Sequence, residues 1–357
     1  MGSRLTKIRS ILEDSKIDGL LLTSASNRRY STGFTGSSGY ALITKQEALF
    51  ITDFRYIDQA KEQAPDFKIV QHQGPIVDTV KELLDKYAIN SLGFEEDFVT
   101  YALYQQFDKK FSGVDLVPLA QAVEKLRQIK DEAELALLRK AANISDQAFS
   151  YILTVIKPGM REVDVATQME NKMKELGAKG ASFDIIIASG HRSALPHGIA
   201  SDKIIEAGDF VTMDFGALYQ GYVSDITRTI VMGQPSEKQR EIYNLVLEAQ
   251  LNGVNNLKAG MTGIEGDALT REIITNRGYG EQFGHGTGHG VGMDVHEEPR
   301  LSPKAEGVIL KPGMVVTVEP GVYISGFGGV RIEDDVVITE DGVEILTKST
   351  KELVVIA

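Results

Sequence analysis

The chain has 357 residues, 42% of them hydrophobic and 25% charged, an ordinary composition for a folded protein of one large or two average domains. Fifty acidic against 38 basic side chains leave a formal charge of -12, which repels nucleic-acid backbones and anionic lipid surfaces and excludes both as expected partners. Because there is no cysteine, disulfides, thiolate metal sites and thiol nucleophiles are excluded, and any metal must be held by His, Asp or Glu.

The amino end carries no long apolar stretch after its basic residues, and no run of about 18 apolar residues occurs anywhere, so a soluble cytoplasmic protein is expected. Up to residue 125 short apolar runs, GLLLT at 19–23, YALI at 40–43, ALFIT at 48–52 and FKIV at 67–70, alternate with helical patterns such as Val77–Tyr87. That alternation predicts an α/β domain over residues 1–125. The charged stretch KLRQIKDEAE at 125–134 opens a second domain, 126–357. There Leu137, Ala141, Ile144, Ala148, Ile152 and Val155 recur at steps of three and four, predicting an amphipathic helix that ends at Lys157-Pro158-Gly159.

The second domain reads as a duplication. KPGM at 157–160 matches KAGM at 258–261, and AGDFVTMDFG at 207–216 matches PGMVVTVEPG at 312–321, which sets Asp214 on Glu319. Each half is helix, helix, then a β-hairpin with a carboxylate at the same place, an α+β arrangement. In the first hairpin a turn centred on Tyr219-Gln220 puts Asp214 opposite Asp225, and a turn centred on Gln220-Gly221 makes them diagonal neighbours on one face. In the second, Glu319 and Glu333 are symmetric about Gly326 and share a face. If the halves face one another, four carboxylates converge, and their repulsion calls for one or two divalent cations.

Four of the six histidines fall in two segments: His197 in SALPHGIAS, and His285, His289 and His296 in FGHGTGHGVGMDVHEEPR. Glycines at 284, 286, 288, 290 and 292 leave every second position without a side chain, so backbone can approach a metal or substrate. HEEPR at 296–300 is not a zincin motif, since it lacks the second histidine and Pro299 disrupts a helix. The glycine run does not fit the dinucleotide-binding fingerprint either.

These segments resemble the pita-bread metallopeptidases, the family of methionine aminopeptidase, Xaa-Pro aminopeptidase and prolidase. The resemblance is carried by PHG at 196–198, MDFGALYQGYVSDITRT at 213–229, GHGTGHGVGMDVHEEP at 284–299, VEPGVYI at 318–324 and RIEDD at 331–335. The preceding portion, with NRRYSTGFTGSSGYALI at 27–43 and TDFRYIDQA at 52–60, resembles the creatinase-type amino-terminal domain of the proline-directed members.

The resemblance implies that Asp214, Asp225, His289, Glu319 and Glu333 bind two divalent ions, Mn2+ first with Co2+ or Zn2+ as alternatives, and no other cofactor. It implies Glu319 as proton shuttle, His197 and His296 as donors flanking the scissile carbonyl, and His285, Tyr323 and Arg331 as supporting residues. The expected activity is release of the residue before proline at the amino end of peptides, by an enzyme expected to be a homodimer. A prolidase restricted to dipeptides is the first alternative, and a catalytically silent binding protein of the same fold is the second.

Overall fold

The apolar runs of the first third become the strands Gly19–Leu22, Tyr40–Thr44, Ala48–Thr52 and Lys68–Gln71. The computed structural model describes residues 2–357, in two units that divide between Arg127 and Gln128. In the first unit these four strands join Ser91–Glu95 and Asp115–Leu119 in one mixed six-stranded sheet, with Gly19–Leu22 lying between Tyr40–Thr44 and Ser91–Glu95. The helix Ile76–Lys86 buries Val77, Val80, Leu83 and Leu84, spaced at three and four, in a core with Leu21, Leu42 and Leu92. The sequence reading did not single out the last two strands, and the reason is physical. Ser91–Glu95 has only Leu92 and Phe94 as large apolar residues, and Asp115–Leu119 is an exposed edge strand, the one position in a sheet that tolerates Pro118.

The second unit is built twice. Its first half runs through the helices Glu132–Ile152 and Glu162–Glu175, the strand Ile186–Ser189 and the antiparallel pair Phe210–Phe215 and Ile226–Met232. Its second half repeats the order with helices Glu237–Asn256 and Gly263–Asn276, the strand Gly288–Gly290 and the antiparallel pair Val315–Val318 and Asp334–Ile338. The chain is therefore an α/β unit followed by a duplicated α+β unit. Three of the four helices begin with a capping box, Asp131 with Glu134, Ser236 with Gln239 and Thr262 with Glu265, each typically contributing about 1 kcal/mol to helix formation.

The helix Glu132–Ile152 is shorter than its periodicity predicts. Its buried stripe is Leu135, Leu138, Ala141, Ile144, Ala148 and Ile152, whereas Leu137 is half-buried and Val155 lies beyond the helix. Lys157 precedes a proline and is disfavoured in a helical conformation, so the chain leaves the helix early, buries Ile156 and turns at Gly159 with a φ of 93°. Behind the first hairpin, Phe149 stacks on Phe215 among Ile144, Val165, Met169 and Met213. Behind the second, Val254 and Leu257 pack on Val316, Val318 and Leu301. Each side chain so buried contributes roughly 1.5–3 kcal/mol, and the summed effect is a rigid floor under each hairpin. Among the described residues no helix is long and apolar enough to cross a membrane.

The alternating glycines, expected to leave room for a metal or substrate, mostly face the protein's own atoms. A Cβ on Gly288 would sit 1.9 Å from the Thr317 carbonyl oxygen, while one on Gly284 would meet nothing within 4 Å. Gly288→Ala is accordingly expected to lower unfolding stability by about 1–3 kcal/mol, with Gly284→Ala near neutral, as read from urea denaturation.

Candidate metal centre

Both hairpins deliver carboxylates by interrupting their own ladders. In the first, Asp214 pairs with Thr227 and Tyr219 with Tyr222, so the turn is centred on Gln220-Gly221 and Asp214 and Asp225 are diagonal neighbours, the second of the two registers expected. Gln220 and Gly221 have φ values of 45° and 80°, the positive pair that a two-residue hairpin turn requires. Asp225 lies between the strands Tyr222–Val223 and Ile226–Met232 and donates its backbone N–H to Asp335 Oδ2 at 2.8 Å.

In the second hairpin Val318 pairs with Asp334 and Gly321 with Arg331, the register symmetric about Gly326. Glu319 and Glu333 fall in the gap between those ladders. The Glu319 N–H donates to the Thr287 carbonyl at 2.8 Å, and the Glu333 N–H donates to the Thr227 carbonyl at 3.1 Å, which ties the second hairpin to the first.

His289 enters from the short strand Gly288–Gly290, its N–H held by Thr317 Oγ1 at 3.1 Å. Its Nδ1 lies 3.1 Å from the Gly290 carbonyl, which accepts only from a protonated nitrogen, so Nε2 is left as a lone pair facing the acids. That atom is 3.3 Å from Glu319 Oε1 and 3.8 Å from Asp225 Oδ2. Burial pushes the His289 ring down to about 3, so it is the neutral imidazole a metal prefers.

Asp225, His289 and Glu333, all buried, offer ligand atoms lying within 4.8 Å of one another. Asp214 and Glu319 line the same cavity. Burial, and then the charge of neighbouring acids, raises Asp225 and Glu333 well above the usual carboxylate range. Burial likewise raises Glu319 to about 7, opposed by Arg331 and reinforced by Asp214. Among the described residues Arg331 is the buried cation inside this group, donating to Asp214 Oδ2 at 2.5 Å, while Asp214 Oδ1 is buried without a hydrogen-bond partner. An orphaned carboxylate oxygen beside three more buried acids and an imidazole lone pair fits divalent cations, whose charge would cancel the mutual repulsion.

Behind the acids a hydrogen-bonded chain fixes their orientation. Arg331 donates from Nη1 to Tyr323 Oη at 2.8 Å and from Nε to Thr227 Oγ1 at 3.0 Å, and Thr227 Oγ1 donates to Glu333 Oε2 at 2.5 Å. Tyr323 Oη lies 2.8 Å from His285 Nε2, and the other ring nitrogen of His285 lies 2.8 Å from the Gly286 carbonyl. Burial pushes His285 down to about 4, so Tyr323 donates to a neutral ring. Sequence reasoning missed Thr227, Thr317 and Asp335. The signal for Thr227 was present, since Asp225, Thr227 and Thr229 alternate at period two and share one face.

The acids open into a cavity of about 550 Å³. His197 and His296, both exposed, stand on its wall with Phe183, Ile186, Pro196 and Val295, and Arg300 lines it as a second cation beside Arg331. The His296 ring lies 4.5 Å from that of His289. The next residue, Glu297, accepts from the N–H groups of Met293 and Asp294 at 3.0 Å each and from Lys130 Nζ at 3.2 Å, which steadies the turn before His296.

Residues 136–340 match metallopeptidase family M24, and residues 4–129 match the creatinase/prolidase N-terminal domain. The chain is 44% identical to the Xaa-Pro dipeptidase of Pyrococcus furiosus over 99% of its own length and 100% of that protein. Among solved structures it is similar to an Xaa-Pro dipeptidase from Bacillus anthracis, at 54% identity, a TM-score of 0.97 and 99% of both chains. It is also similar to an X-Pro aminopeptidase from Thermotoga maritima, at 39% identity and a TM-score of 0.92, over 99% of this chain and 100% of that one.

Proposed function

The chain belongs to metallopeptidase family M24, and from that membership we propose that it is an Xaa-Pro dipeptidase, hydrolysing the bond between the first residue and proline. The observation that carries the proposal is the buried ligand group Asp225, His289 and Glu333, with Asp214 and Glu319 on the same cavity wall. Those five residues hold the divalent ions, with Mn2+ proposed first. When bound, such ions supply a water acidified to near neutral pH and a Lewis acid for the peptide carbonyl.

The remaining steps belong to the side chains. Glu319, on the cavity wall beside the other carboxylates, takes the proton from the attacking water and passes it to the proline nitrogen as the C–N bond breaks. His197 and His296 donate N–H groups to the carbonyl oxygen as negative charge develops there.

The sequence reading set longer peptides first and dipeptides second, and the names of the similar proteins favour the second. A dipeptide presents its proline carboxylate inside the cavity, where Arg300 is a cation not engaged with the ligand carboxylates. Ala-Pro is expected to be cleaved with a kcat/KM roughly 10-fold or more above that for Ala-Pro-Ala, since only the dipeptide sets a carboxylate beside Arg300, a partly exposed cation 3.7 Å from Glu298. Comparable rates on both peptides would transfer the reading to an Xaa-Pro aminopeptidase, which the likeness to the Thermotoga maritima structure favours. Arg300→Ala is expected to raise KM for Ala-Pro by roughly 10- to 100-fold with kcat changed far less, the signature of lost ground-state binding.

A further inference from the structure

We infer that Glu162 is a positioning residue for His197, clamping both ends of the loop that carries it. The inference rests on the hydrolase reading above, in which His197 touches the reacting carbonyl. His197 is exposed on the cavity wall, and its ring makes no hydrogen bond to any described residue. Its position is therefore set by its backbone. The flanking side chains give little anchorage, since Leu195 and Ile199 are 51% and 53% exposed.

The anchorage lies underneath. Glu162, the first residue of the helix Glu162–Glu175, is 0% exposed. Its Oε1 accepts from the Ser189 N–H at 2.7 Å and the Ser189 hydroxyl at 2.8 Å, where the strand Ile186–Ser189 ends and the loop begins. Its Oε2 accepts from the Ser201 N–H at 3.1 Å and the Ser201 hydroxyl at 2.7 Å, where the loop ends, and from Arg192 Nη1. Arg192 passes the restraint onward, donating from Nη2 to the Ile199 carbonyl at 2.9 Å, two residues beyond His197. Lys203 braces the same corner, with Nζ 2.9 Å from Ser189 Oγ and 2.8 Å from Asp209 Oδ2.

One carboxylate thus joins residues 189, 192 and 201. Fixing a loop at both ends removes the freedom that would otherwise be lost when His197 meets its substrate. The five acceptor contacts use both oxygens, so an amide cannot replace them: the Gln nitrogen donates, and the groups facing it here are donors as well. An alternative assignment as a plain fold element predicts a loss of stability only. A positioning role predicts a loss that depends on His197.

The test is a double-mutant cycle on the metal-loaded full chain with Ala-Pro as substrate, together with spectra of protein labelled with 13C-histidine. Glu162→Gln is expected to lower kcat by about 10- to 100-fold, with KM moving by less than about threefold. In the His197→Ala background the same substitution is expected to change kcat hardly at all. The His197 ring signal is expected to shift and broaden, while that of His72 stays unchanged. Should Glu162→Gln fail to fold, Ser201→Ala removes one donor to Glu162, with the acceptor offered to the Lys203 N–H, and is expected to show the same pattern at smaller amplitude. Wild-type kcat and an unmoved His197 signal in these variants would overturn the inference, as would an equal loss in the His197→Ala background. Wild-type kcat in His197→Ala alone would instead overturn the role given to His197, and the ring signal would still report on the clamp.

Discussion

Removal of divalent metal with a chelator is expected to abolish Ala-Pro hydrolysis, by more than about 10³-fold, and readdition of Mn2+ to restore it. The physical reason is the cluster itself. Asp225 and Glu333 are buried beside Glu319 and Asp214, and each is held above the usual carboxylate range by burial and by the other acids. Without cations the folded state keeps this repulsion, and with them it gains roughly 4 kcal/mol when the free metal is about 1,000 times its Kd.

The sign with pH follows from the raised acids Asp225, Glu319 and Glu333, which outweigh the lowered His285 and His289 rings that pull the other way below about pH 6.5. A group whose pKa is higher folded than unfolded binds its proton more tightly when folded. Its stabilising contribution is complete below the unfolded value and is lost as pH rises through the folded one, about 7 for Glu319. The chelated protein should therefore melt higher at about pH 5.5 than at about pH 8, and the Mn2+-loaded protein should not show that trend. Differential scanning calorimetry on both forms checks it. A chelated sample that keeps full activity, or that melts highest at alkaline pH, contradicts the assignment. Asp225→Ala removes a ligand and should leave activity near the chelated level even in excess Mn2+.

What sequence could and could not show of this site divides along range of contact. The register that puts Glu319 opposite Glu333 was legible because a hairpin is local. Symmetry about Gly326 fixes it, and Gly326 takes a φ of 77° in the turn. The first hairpin was legible only to within two registers, because its turn uses Gln220 at positive φ, a conformation the residue type does not announce. Duplication was readable because both halves keep their helix starts and hairpins in the same order with similar short motifs. The hydroxyl of Thr227 on Glu333, and Glu162 beneath the His197 loop, join residues 106 and 39 positions apart, and no periodicity links such partners. The early end of the helix at Ile152 has a local part, the proline at 158, and a tertiary part, the burial of Ile156.

The second large effect lies behind the centre. Arg228 and Asp334 form an ion pair at 2.7 Å with side chains 1% and 0% exposed. Arg228 also donates from Nη1 to the carbonyls of Thr227 and Glu333, from Nη2 to that of Ser349 at 2.9 Å and from Nε to that of Thr350 at 3.0 Å. It therefore locks the two hairpins to each other and to the carboxyl-terminal segment. Asp334 sits below the usual carboxylate range: burial raises it, but Arg228 and Lys351 outweigh that.

Arg228→Met retains volume and stem but leaves Asp334 buried with Lys351, Gln250 and Thr347 as its remaining side-chain donors. Breaking a buried pair from one side costs about 3–5 kcal/mol, which is a fall in Tm of roughly 6–20 °C for a unit of this size. The exposed pair of Arg139 with Glu344 supplies the contrast, since Arg139→Ala there should cost less than about 1 kcal/mol. If burial is the cause, adding Asp334→Asn to Arg228→Met should recover only part of the loss, because the amide removes the fully buried anion but leaves Lys351, 18% exposed, without its partner. A loss under about 1 kcal/mol for Arg228→Met would mean that the neighbouring Lys351 alone neutralises Asp334. The carbonyls of Thr227 and Glu333 would then hold the hairpins through their own ladder, and activity would survive the substitution.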